Sequence, residues 1–163
     1  MSHVRGVSGS VMFSKIDRKI KEAMSILKQL GYESEHISPK EFYDYMTGEA
    51  PTGDVITLNG VLCNEFLMVH EVVEISELKK MGTPISKQTV MSFYPRVYEV
   101  HFTAMDFELT HALYRKDYGW LRRRLASAKD WLEDPYLPQE FNYLRKELAP
   151  QCKSIIKKFS KHL

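Results

Sequence analysis

The sequence predicts an all-α protein, a single-domain bundle of about six or seven helices. Three observations carry that reading. Apolar residues recur at three- and four-residue spacing, helix start and stop signals punctuate the chain, and only one short stretch offers paired strands. A chain of 163 residues with 44% hydrophobic side chains can bury one core of ordinary size.

Residues 1–13 read as a flexible leader without the apolar centre of a secretion signal, and residues 14–163 as the bundle domain. Ser14 precedes Ile16, Ile20, Met24, Leu27 and Leu30 on one helical face, with Asp17 in an approximate capping box and Gly31 as the stop. Ser38-Pro39-Lys40-Glu41 is a second capping box, with proline in the first turn of a short helix that ends near Gly48.

Residues 55–63 admit two readings. Asn59-Gly60 between two apolar runs is a hairpin signal, but a lone hairpin is marginal without further strands, so a helix starting near Asn59 and running to Met81 is favoured. Gly82 and Pro84 end that helix. Another starts near Ser86 and is broken or kinked at Pro95, and a long helix follows from Arg96 to Tyr118. After a bend at Gly119, Leu121, Leu125, Ala128 and Leu132 form the stripe of the next helix, which Asp134-Pro135 ends. The last helical region starts near Pro138, is interrupted at Pro150, and carries Ile155, Ile156 and Phe159 to the C-terminus.

Composition excludes several function classes. The formal charge of +2 makes no global demand for a nucleic acid or membrane surface, and no apolar run is long enough to span a bilayer. Cys63 and Cys152 are far apart and lack zinc-type spacing; they read as free thiols of a cytoplasmic protein. There is no G-x-x-x-x-G-K-[ST] phosphate loop, no G-x-G-x-x-G, no G-x-S-x-G nucleophile elbow and no EF-hand loop.

One segment stands out chemically. Between Glu65 and Glu77 an apolar helix carries His70, Glu71 and Glu74. Charges on an apolar helix are costly unless paired or bound to a metal. The run His70-Glu71-x-x-Glu74 departs from the zinc-hydrolase motif H-E-x-x-H at its last position, the second metal ligand, so it assigns no family.

His101, Met105, Glu108 and His111 share a broad face of a later helix, and Glu108-x-x-His111 has the spacing of carboxylate-bridged metal sites in bundles. If the two helices pack face to face, His70, Glu74, Glu108 and His111 are expected to hold zinc, manganese or iron, with Glu71 as base on a bound water. The plainer expectation is a set of i,i+4 polar pairs, such as His70–Glu74, worth roughly 0.3–0.5 kcal/mol each.

The last third of the chain is basic. Arg122, Arg123 and Arg124 beside Trp120, together with Lys157, Lys158 and Lys161, could hold phosphates, though no recognition motif accompanies them. Aromatic residues concentrate in the middle helices, and Tyr94, Tyr98 and Phe102 could line a subunit contact. The sequence therefore favours an interaction or scaffold protein that self-associates as a homo-oligomer. A metal-binding bundle with hydrolytic or oxidative activity comes second, and nucleic-acid binding third.

Overall fold

The computed structural model describes residues 2–50 and 57–163. Among them the chain is an all-α bundle of seven α-helices with one short 3₁₀ turn and no strand. The helices are α1 (Ser2–Gln29), α2 (Pro39–Thr47), α3 (Leu58–Leu62), α4 (Glu65–Lys80), α5 (Thr89–Tyr114), α6 (Tyr118–Glu133) and α7 (Asn142–Ser160). No helix of the described residues is long and apolar enough to cross a membrane.

Local signals set most boundaries. Ser38 accepts from the Glu41 backbone N–H at 3.1 Å while the Glu41 carboxylate accepts from the Ser38 N–H at 2.9 Å, so the capping box of α2 is closed from both sides. Gly31 (φ +83°) and Gly82 (φ +77°) occupy the left-handed region just past α1 and α4, where a Cβ is penalised. The N–H groups of Tyr32 and Thr83 turn back to the Leu27 and Leu78 carbonyls, each at 2.9 Å, and satisfy the last turns.

Several boundaries differ from the sequence reading. Helix α1 is helical from Ser2, ahead of the start at Ser14 that capping predicts, since no proline stands between the two. The helix expected from Asn59 to Met81 is split: Asn64 takes an extended conformation and its side chain caps the N–H groups of Phe66 and Leu67 at 2.9 and 3.0 Å. Over 57–63 the hairpin alternative gives way to α3, capped by Thr57; residues 55 and 56 lie outside the described residues. The kink expected at Pro95 is present in α5, with Phe93 at φ −130° and ψ 27°, but the helix ends at Tyr114, short of Tyr118, and α7 runs through Pro150 without the expected interruption.

Helix α4 is the centre of the molecule. Every residue from Met68 to Ser76 is buried, as an interior helix with neighbours all round requires. One apolar cluster joins α4 to α1 and α2 through Ile16, Ile20, Leu27, Phe42, Val69, Val72 and Ile75. A second joins Phe66 to α5, α6 and α7 through Leu109, Leu121, Leu125, Cys152 and Phe159. Along the seam between α4 and α5 lie the buried polar groups.

Candidate metal centre

Helices α4 and α5 run antiparallel. Glu65 lies level with His111, His70 with Glu108, and Glu74 with His101. That register decides which of the expected ligands meet. The one-turn spacing of His70 and Glu74 puts both on the α5-facing side of α4, and the two-turn spacing of His101 and Glu108 does the same on α5.

His70 is held at both ring nitrogens. Its Nδ1 lies 2.8 Å from Glu108 Oε1 and its Nε2 lies 3.1 Å from Glu74 Oε2. His101 Nδ1 lies 3.6 Å from the same Glu74 oxygen, and the two imidazole rings stand edge to face with centroids 4.8 Å apart. One ligand atom each from His70, Glu74 and His101 falls within 4.8 Å of the others, a cluster compatible with one metal ion. Around a tetrahedral ion with bonds of about 2.0–2.1 Å, neighbouring ligand atoms stand about 3.3 Å apart. The separations of 3.1 and 3.6 Å bracket that value.

The surrounding shell is built from other helices. The Tyr45 hydroxyl on α2 donates to Glu74 Oε1, which leaves Oε2 facing the histidines. Trp120 Nε1 and Arg124 Nε on α6 donate to Glu108 Oε2 at 2.8 and 2.7 Å. A second Arg124 nitrogen donates to Glu108 Oε1 at 2.9 Å. Glu108 is wholly buried and thus held by a fork of arginine donors, an indole and an imidazole. Glu71 is also buried, close enough to Glu74 to feel its charge.

The electrostatics follow from these contacts. Burial opposes charge on His70, but its hydrogen bonds to Glu108 and Glu74 outweigh burial and raise it to about 10. Glu74 is depressed well below the usual carboxylate range: burial works against its charge, while His101 and His70 favour it. Glu108 is pulled down to about 2 despite its burial, chiefly by His70 and Arg124. Glu71 goes the other way, to about 8, because it is buried next to the negative Glu74. Burial lowers His101, with the Glu74 carboxylate working against it. Tyr45 is raised well above its ordinary value by burial and by Glu74.

The remaining sequence candidates sit elsewhere. His111 is level with Glu65, its Nε2 3.4 Å from Glu65 Oε1, and its ring packs on Phe66. Five residues separate Glu65 from His70, about 7.5 Å along a helix, so His111 stands more than a turn away from the cluster. Arg124 turns inward to Glu108, while Arg122 and Arg123 are exposed. Lys157 and Lys161 are exposed, and Lys158 pairs with Asp106 at 2.7 Å. Tyr94 and Tyr98 pack on Phe141, and Phe102 packs on Trp131.

Sequence reasoning placed His101 on the right face but left it out of the ligand set. Tyr45 and Trp120 carried no signal beyond aromatic content. Arg124 did carry one: it follows Leu121 by three residues and adjoins Leu125, at the edge of the buried stripe. No protein-family model, curated protein or solved structure matches the chain.

Proposed function

We propose that the protein is a metal-binding helical bundle that holds one divalent transition-metal ion between α4 and α5, with His70 Nε2, Glu74 Oε2 and His101 as ligands. The observation that carries this reading is the His70–Glu74–His101 cluster, two buried residues and a half-buried one spaced for a common ion. Two imidazoles and one carboxylate suit zinc or ferrous iron better than magnesium or calcium. Manganese also accepts such a set.

Charge supports the same reading. Three buried carboxylates, Glu71, Glu74 and Glu108, face one permanent cation, Arg124, which leaves two negative charges uncompensated. A divalent ion balances them. Without one, protons on His70 and Glu71 must do so, in keeping with the upward shifts of both groups. A self-associating scaffold gives no reason to bury three acids, so the metal reading ranks above it. Three protein ligands would leave a position for water, and Glu71, one turn before Glu74 on the same helix, would serve as the base toward it once ionised, which makes metal-assisted hydrolysis the matching reaction class.

The test is metal content by mass spectrometry on tag-free protein purified without chelator or nickel. The expected result is close to one zinc, iron or manganese per chain, lost in His70→Ala and in His101→Ala. A folded wild-type protein that carries none and takes up none on addition overturns the reading.

A further inference from the structure

We infer that Glu108 is a positioning residue for this centre rather than a ligand, and that helix α6, which supplies no ligand, sets the affinity for the ion through Trp120 and Arg124. The inference rests on the metal reading above. Each oxygen of Glu108 already has at least two partners: His70 Nδ1 and one Arg124 nitrogen at Oε1, Trp120 Nε1 and Arg124 Nε at Oε2. A carboxylate so engaged has no lone pair directed at an ion. What it does is accept the Nδ1–H of His70, which fixes the ring orientation and makes Nε2, on the Glu74 and His101 side, the nitrogen that would give up its proton to an ion.

The chain of contacts Trp120 and Arg124 to Glu108 to His70 crosses from α6 through α5 to α4 in two hydrogen-bonded steps. Arg124 is held in turn. Its guanidinium lies 5.9 Å from the Trp120 ring centroid, and Leu121 and Leu125 seat α6 in the second apolar cluster. Docking of α6 therefore holds the His70 ring in the orientation that an ion needs. A ligand and its brace have different signatures. Loss of a ligand abolishes binding, whereas loss of the hydrogen-bonded brace of a ligating histidine weakens it about 10–100-fold.

The experiment uses cobalt(II) as the probe on the full chain, stripped with chelator, reading the dissociation constant and the visible absorption bands together. Wild type is expected to bind one cobalt and His101→Ala none. Glu108→Gln is expected to bind one cobalt with a dissociation constant raised 10–100-fold and with shifted bands. Trp120→Phe keeps an aromatic ring and removes the N–H donor together with part of the indole, so it serves if Glu108→Gln does not fold; a rise of a few-fold with the same direction of band shift is expected. Wild-type affinity and an unchanged spectrum in the folded variants overturn the inference, whatever their thermal stability. So does complete loss of cobalt from Glu108→Gln with the fold intact, which makes Glu108 a ligand. If wild type binds no cobalt, the metal reading fails and the inference falls with it.

Discussion

The seam between α4 and α5 pairs histidine with glutamate at three levels, and the outermost behaves as the opposite of the inner two. At one end His111 meets Glu65, which is also bound by Arg115 at 3.1 Å, and the Glu65 and Arg115 side chains are 42% and 61% exposed. In the middle His70 meets Glu74 and Glu108, with side chains no more than 8% exposed. The residue types match, but the surroundings do not. In the outer group His111 is buried but its partners Glu65 and Arg115 are hydrated and screened, while the inner group is closed over by Tyr45 of α2 and by Trp120 and Arg124 of α6. A histidine–glutamate pair becomes a candidate centre only when other helices supply donors that hold the carboxylates.

The sharpest way to break the comparison is to remove one acid from the outermost level and one from the inner two. Glu108→Ala leaves Arg124 and the protonated His70 buried without their counter-charge, and breaking such a pair costs about 3–5 kcal/mol. Glu65→Ala, at the exposed level, is expected to cost no more than about 1 kcal/mol. Denaturant unfolding of the two variants at neutral pH measures the gap; equal losses would sink the contrast.

A smaller effect is expected from Tyr45→Phe. It removes only the hydroxyl that donates to the buried Glu74, and a hydrogen bond to a charged group is worth about 1.5–3 kcal/mol. A melt indistinguishable from wild type would mean that α2 does not brace the inner levels.

The pH dependence of the chelator-stripped protein sharpens the comparison further. Glu71 stands at about 8 in the folded state, above its ordinary value of 4.5, so the native state holds the proton longer and stability declines as pH rises from the ordinary carboxylate range through about 8. His70 stands at about 10 against 6.5, so its contribution is whole below 6.5 and is lost as pH rises toward 10. Both losses run in the same direction between 6.5 and 8. Glu71→Gln removes the first and keeps the side-chain volume. Its melting temperature is expected to exceed that of wild type at pH 8–9 and to vary less between pH 5 and 8. Parallel curves for the two proteins would contradict the placement of Glu71 beside Glu74. The smallest effect is assigned to Arg115→Ala, an exposed partner, at within about 1 kcal/mol of wild type at any of these pH values.

Much of the fold was legible because it is local. The Ser38 capping box, the stops at Gly31 and Gly82 and the apolar stripe of α6 each lie within a few residues of the element they define. The site was legible in part. His70, Glu71 and Glu74 announced themselves as polar groups on an apolar helix, and Glu108 by its spacing to His111. What periodicity does not contain is the register of α4 against α5. The turn between Lys80 and Thr89 sets that register, and it puts His101 rather than His111 opposite Glu74. Arg124 was read with Arg122 and Arg123 as a surface cluster. Successive residues on a helix point about 100° apart, so three in a row cannot share a face, and the one beside the apolar stripe turns inward. A buried acid such as Glu108 needs a cation, and that need could have singled Arg124 out.

The most direct test of the central claim titrates zinc into chelator-stripped wild type, His101→Ala and His111→Ala and counts the ions bound. The account predicts one zinc in wild type and in His111→Ala, and none in His101→Ala. No zinc in wild type, or the same loss in His111→Ala as in His101→Ala, would contradict it.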